Sequence, residues 1–423
     1  MEHRPSSVTE GKPKERIKAA NMEFRLEDKS FLTEVDEMNK TFFAKRAIIG
    51  KNLLVKKNVY LTVGSDGNVK NLSTDRPLGE IKEFKNDIIV PGFVNCHTHV
   101  VDAFAKEAGY GMDVESTVAP PNGLKHRLLK ETAETKKIHG IRQAIIEFLS
   151  NGTTCFIDFR EEGREGVALL RNALSNQLIK AKILGRPLTT ENIETVLAIS
   201  DGLGLSSLNK FIDEELESIR RSIQGSGKLV AYHASETPEL RAESLRVYKE
   251  SDILRGVKRL SPSFIVHATH ATKSDIEYLK TQEIPVVLCP RANGYLGVGI
   301  PPIKRLVEAG ISLCLGTDNL MLNAPDLFRE FDYLVRIARL QGITLNPREI
   351  MKMVTVYPSM FLKERHFLEE GVPADFFVFE LDKPNIKGMS DFLKALVLRG
   401  SKGNLKATYI NGAQVWRSNF SSS

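Results

Sequence analysis

The chain has 423 residues, 42% of them hydrophobic and 26% charged, with a formal net charge of +6. That balance excludes wholesale disorder, and no dense Lys/Arg run interleaves with aromatics, so nucleic acid is not expected as a partner, while a small anionic substrate is compatible with the charge. Cys96, Cys155, Cys289 and Cys314 each lie in or beside an apolar run, which implies buried thiols in a reducing cytosol, and with no apolar stretch of ~18 residues and no signal-peptide core the expectation is a cytoplasmic protein without a membrane partner.

Residues 1–39 mix Glu, Lys, Arg, Ser and Pro without sustained periodicity and read as a disordered N-terminal extension, with Met22 and Met38 as alternative starts. From 40 to 88, short alternating runs such as Asn58-Val59-Tyr60-Leu61-Thr62-Val63 are punctuated by the hairpin signal Asp66-Gly67. The same texture returns over 366–420, in Phe376-Phe377-Val378-Phe379 and around Asn411-Gly412. The two ends are expected to form one composite β-sandwich domain.

Between them, over 89–365, apolar strand-like runs alternate with helical stretches. Eight strands are expected at 88–95, 153–158, 181–184, 195–200, 229–233, 264–267, 285–289 and 312–315. That count and length predict an α/β fold, a (β/α)8 TIM barrel, whose chemistry sits at the C-terminal strand ends. Asn293 to Gly299 reads as a flexible loop over that face and not as a nucleotide fingerprint, because it runs into Pro301-Pro302.

The strand ends carry one kind of chemistry. His97-Thr98-His99 closes the first strand, and residues i and i+2 point the same way, so both imidazoles can converge on one ion. His233, His267 and Asp318 close three later strands. His97, His99, His233 and Asp318 are the expected metal ligands, suited to zinc with a position left open for water, whose pKa a metal can lower from ~15.7 to about 7. Glu236, three residues beyond His233, is the candidate general acid, against a reading as a helix N-terminal acid before Pro238. His267 is expected to share its face with Ile265, aim at the mouth and hold the water, and Asp318 to take the water's proton. These three are the candidate catalytic residues.

The motifs Pro91-Gly92-Phe93-Val94-Asn95-Cys96-His97-Thr98-His99, His233-Ala234-Ser235-Glu236, Val266-His267-Ala268-Thr269-His270, Cys289-Pro290-Arg291-Ala292-Asn293 and Gly316-Thr317-Asp318-Asn319 resemble the amidohydrolase superfamily from about residue 40 onward. The chain looks most like the branch of cytosine, guanine, chlorotriazine and S-adenosylhomocysteine deaminases, where His-x-x-Glu follows the fifth strand. The resemblance implies a mononuclear zinc or iron site. It also implies proton handling by Glu236 and His267, and hydrolysis of a non-peptide C–N bond, foremost deamination of a nitrogen heterocycle. Ala198-Ile199-Ser200-Asp201-Gly202-Leu203 holds no Lys of the kind that bridges two metals in binuclear relatives, which favours one metal per chain. Hydrolysis of a cyclic amide, as in imidazolonepropionase-like proteins, and a non-catalytic scaffold are the alternatives.

The segment after His99 and Asp318-Asn319-Leu320-Met321 depart from the nucleoside deaminases, which reshapes the expected pocket. Lys125 and Arg127 read first as a solvated loop face; with Arg160, Arg186 and Arg291 they are also candidate contacts for a carboxylate or phosphate on a small-molecule substrate. His270 reads first as structural and second as a substrate contact. His3, His126, His139 and His366 are given surface or packing roles, and Asp102, Asp158 and Asp201 read as caps or ion-pair partners just as well as substrate contacts. A homo-oligomer is left open.

Overall fold

The structure, a computed structural model, describes residues 39–189 and 192–419. Residues 1–38 lie outside the described residues, and with them the expected extension and both alternative starts. No helix of the described residues is long and apolar enough to cross a membrane.

Four strands open the described chain: β1 (Lys40–Ile49), β2 (Leu54–Val63), β3 (Val69–Ser73) and β4 (Ile81–Pro91). A parallel series follows: β5 (Phe93–His99), β6 (Thr153–Arg160), β7 (Lys180–Gly185), β8 (Gly202–Leu205), β9 (Leu229–Ala234), β10 (Phe264–His267), β11 (Val286–Leu288), β12 (Leu313–Leu315) and β13 (Asp318–Asn319). The last three are β14 (Phe376–Glu380), β15 (Leu405–Ile410) and β16 (Ala413–Arg417).

The chain's two ends build one seven-stranded sheet in the order β16-β15-β14-β4-β1-β2-β3, joined where β14 runs antiparallel to β4 with Phe376 opposite Pro91. Asp66-Gly67 lies in the longer turn between β2 and β3, while Asn411-Gly412, both at positive φ, joins β15 to β16 as a two-residue hairpin favours. Alternation along β4 sends Ile89 to a core with Phe42, Phe376 and Tyr409, while Ile88 and Val90 join the larger core beneath the second sheet.

The second sheet has the order β12-β11-β10-β9-β8-β7-β6-β5-β13, all neighbours parallel. Its two edges, β12 and β13, are separated by only Gly316-Thr317, so the sheet curls back on itself. Val94, Cys155, Ile157, Phe159, Phe264 and Val266 fill the inside, while Phe156, Ile183, Val230, Ile265 and Leu313 pack outward under the helices. All four cysteines are buried free thiols.

Three expectations are corrected. The run 88–95 is two strands in different sheets, because the chain turns out of the first at Gly92, whose N–H donates to the Asp375 carbonyl. The fourth strand is Gly202–Leu205, not 195–200, most of which lies in and after the helix Ile193–Leu197. Its glycines hide the strand signal but are required: a Cβ on Gly202 would stand 2.0 Å from the Leu229 carbonyl oxygen of the adjoining strand. Asn293 lies in a helix, Pro290–Leu296, started by Pro290 at its first turn and ended at Gly297 in the left-handed region.

Candidate metal centre and active-site cavity

The C-terminal ends of β5, β9 and β10 and the start of β13 bring five side chains to one point. His97 Nε2 lies 3.3 Å and His99 Nε2 3.5 Å from Asp318 Oδ1, His99 Nε2 lies 3.4 Å from His233 Nε2, and His267 Nε2 is 4.0 Å from Asp318 Oδ2. Candidate ligand atoms of His97, His99 and His233 lie within 4.8 Å of one another, as do those of His97, His267 and Asp318. The backbone departs from strand geometry to achieve this. His267 and Asp318 have φ of 71° and 63°, a left-handed conformation that costs about 1 kcal/mol or more at a non-glycine residue and collects at functional sites. Ile265 packs outward, so the shared-face argument for His267 is corrected: its inward aim comes from that positive φ. At the first strand, the β5–β6 register shifts between Asn95 and Thr98, and His97 lies against Phe159 of the inner core.

Each of three imidazoles has an oxygen beside its other nitrogen. His233 Nδ1 lies 2.9 Å from the Leu205 carbonyl oxygen, His267 Nδ1 3.0 Å from Asn293 Oδ1, and His99 Nδ1 2.7 Å from Glu161 Oε1. Both nitrogens of His97, Nδ1 of His99 and Nε2 of His267 are buried without a hydrogen-bond partner among the described residues, the 2.7 Å approach of His99 to Glu161 being an ion-pair contact outside hydrogen-bond alignment. Burial lowers the pKa of His97 and His233, and burial together with the Lys125 charge takes His99 down to about 3. Burial alone would raise Asp318, yet the surrounding imidazoles of His97, His267 and His99 hold it well below the carboxylate range. Burial thus keeps the lone pairs of His97, His99 and His233 free, as binding of a divalent cation requires. The bare buried nitrogens and the mixed N/O donor set fit such an ion.

The cluster opens on a cavity of about 650 Å³, with His99, His233 and Asp318 in its wall. Glu236 also faces it, with Oε1 3.8 Å from His267 Nε2; burial raises its pKa against the pull of His267. It precedes the cap residue Thr237 of the helix Pro238–Tyr248, so the helix-start acid is Glu239 instead.

Of the candidate substrate contacts, Lys125 and Arg186 line the cavity. Lys125 is not on a solvated loop: it is 3% exposed on the helix Leu124–Glu131, with Nζ 2.5 Å from Glu161 Oε1 and 3.9 Å from Asp102 Oδ2. The structure does not bring the other four to it. Arg160 is fully enclosed with Glu161 and Asp158, Arg127 is exposed, and Arg291 pairs with Glu330 at 3.3 Å. His270 Nε2 meets the Val298 carbonyl oxygen at 2.7 Å.

Sequence reasoning assigned no role to Glu161, which meets His99, Lys125, Arg160 and Arg186, nor to Asn293. Lys125, His99 and Arg160 overcome Glu161's burial and hold its carboxyl well below the usual range. Asp102 accepts from Asn319 Nδ2 at 2.9 Å and the Met321 N–H at 3.0 Å, and burial pushes it up to about 7 against the Lys125 charge. Glu161's position, directly past a barrel-type strand, was the available signal.

Residues 88–415 match the family described as the amidohydrolase family. An uncharacterized protein of Methanocaldococcus jannaschii is 34% identical, covering 85% of this chain and 94% of its own length. A putative aminohydrolase of Methanothermobacter thermautotrophicus is 35% identical, covering 77% and 87%. The 5-methylthioadenosine/S-adenosylhomocysteine deaminase of Caldanaerobacter subterraneus subsp. tengcongensis is 25% identical, covering 84% and 87%. Among solved structures, the zinc-bound adenosine deaminase of Xanthomonas campestris superposes with a TM-score of 0.77 at 18% identity over 88% of this chain and 92% of that one. Guanine deaminase of C. acetobutylicum with bound guanine gives 0.74 at 19% identity over 90% and 100%.

Proposed function

The chain belongs to the amidohydrolase family, and from that footing we propose that it is a metal-dependent hydrolase that deaminates a nitrogen heterocycle. In this reading β12 and β13 are two halves of one strand, which makes the second sheet a (β/α)8 barrel with its chemistry at the C-terminal rim. The observation that carries the proposal is the convergence of His97, His99, His233, His267 and Asp318, with buried nitrogens bare among the described residues, on a cavity that also holds Glu236. The deaminase-named relative and the fold-level likeness to adenosine and guanine deaminases support the choice of reaction.

His97, His99, His233 and Asp318 would hold one divalent ion, zinc before iron. When bound, it supplies a Lewis acid that makes water a nucleophile near neutral pH. The side chains do the rest. Asn293 fixes the tautomer of His267, whose Nε2 then faces Glu236 and Asp318 to orient the attacking water between them. The water's oxygen adds to the ring carbon that bears the amino group, and its proton passes to the Asp318 carboxylate. Glu236, kept protonated by burial, donates a proton to the adjacent ring nitrogen. Asp318 then passes its proton to the amino nitrogen, the C–N bond breaks and ammonia leaves, and the hydroxyl proton of the adduct returns to Glu236 as the carbonyl forms.

The test is ammonia release by zinc-loaded protein across purines, pyrimidines, pterins and adenosyl compounds. Release from at least one is expected. Ring opening of a cyclic amide with no ammonia from any of them would overturn deamination and keep the hydrolase.

A further inference from the structure

We propose that Glu161 is a positioning residue of the metal centre, acting through His99 and itself held in place by Lys125. The inference rests on the metal-centre reading above.

His99 has two faces. Its Nε2 looks into the cluster, 3.5 Å from Asp318 Oδ1 and 3.4 Å from His233 Nε2, while its Nδ1 looks away, 2.7 Å from Glu161 Oε1. A neutral imidazole carries one proton, and a carboxylate beside Nδ1 draws it there, leaving the Nε2 lone pair for the ion. His233 and His267 are oriented by neutral oxygens, the Leu205 carbonyl and the Asn293 amide. His99 alone of the three is oriented by a charge.

Glu161 has little freedom to be elsewhere. It is 2% exposed, with Oε2 against the Arg160 guanidinium and Oε1 shared by His99, by Lys125 at 2.5 Å and by Arg186 Nη1 at 3.8 Å. Its backbone is clamped as well: a Cβ on Gly166, in the helix Gly163–Leu174, would stand 1.9 Å from the Glu161 carbonyl oxygen, so glycine lets the helix seat against it. Lys125 arrives from a different element, the helix Leu124–Glu131, and lines the same cavity as His99 and Asp318. A carboxylate buried for packing alone needs one counter-charge; this one has three, arranged so that an oxygen stays on Nδ1 of His99.

The experiment is zinc affinity by chelator competition on purified wild type and Glu161→Gln, with thermal unfolding of both metal-free proteins. The amide keeps the size and removes the charge. Zinc affinity, compared below both unfolding midpoints, is expected to fall by about 10–100-fold, with partial recovery in Glu161→Asp; metal-free unfolding shifts down as well, because Lys125, Arg160 and Arg186 lose their buried counter-charge. Equal zinc affinity in wild type and Glu161→Gln would overturn the proposal, whereas a wild type that binds no zinc would fail the metal-centre reading instead. Should Glu161→Gln not fold, 1H–15N NMR of zinc-loaded wild-type histidines decides. His99 protonated at Nδ1 and bound through Nε2 supports the proposal, and the reverse overturns it.

Discussion

His97 and His366 are both buried, and both carry two ring nitrogens without a hydrogen-bond partner among the described residues. Only one of them sits in a convergent set. His97 lies 3.3 Å from Asp318, with the rings of His99, His233 and His267 at 5.0, 4.9 and 5.8 Å between centroids. His366 follows the helix Ser359–Leu362, and the charges around it are already matched, Lys180 with Asp375 and Lys182 with Glu364, each at 2.7 Å. A bare buried nitrogen therefore identifies a cost and not a function. What marks a metal centre is several such atoms aimed at one point beside an ionised carboxylate.

The comparison breaks most sharply at Asp318. Replacing it by Ala removes the one carboxylate of the cluster and should lower turnover on the order of 10⁴-fold or more while the barrel still folds. Steady-state kinetics and circular dichroism together check this, and undiminished turnover would refute the mechanism. Glu236→Gln should cost about 10²–10⁴-fold in rate with zinc retained, since Glu236 faces the cavity from outside the cluster. Loss of zinc in that variant would make Glu236 a ligand.

His366 supplies a smaller test of opposite kind. Burial lowers its pKa to about 4 from 6.5, so the unfolded chain takes up the proton first as the pH falls. Wild-type stability attributable to His366 should therefore drain away between about pH 6.5 and 4, by about 3 kcal/mol at most. Denaturant unfolding against pH should show a shallower acid loss in His366→Phe, with zinc binding unaffected. A changed zinc affinity there would erase the distinction between the two histidines.

Much of this was legible in the chain, and unevenly. Ligand-type residues at strand ends show up in sequence because strand period and strand termination are local properties. The turns at Asp66-Gly67 and Asn411-Gly412 follow for the same reason. The short strand Gly202–Leu205 did not, since two glycines in four residues erase a propensity signal whose cause is the contact with Leu229. The burial of Lys125 was equally hidden: a lysine in a polar stretch reads as solvated until a distant carboxylate, Glu161, is placed beside it. The aim of His267 depends on one backbone angle, and its tautomer on Asn293, 26 positions away in a helix that reads as a loop. Local pattern names the groups; non-local packing decides what each one faces.

Metal content, measured by elemental mass spectrometry on natively purified wild type and Asp318→Ala side by side, tests the central claim most directly. About one zinc or iron per wild-type chain, falling in the variant, is the predicted result. A wild type that carries no divalent metal, and takes up none when zinc is supplied, would contradict it.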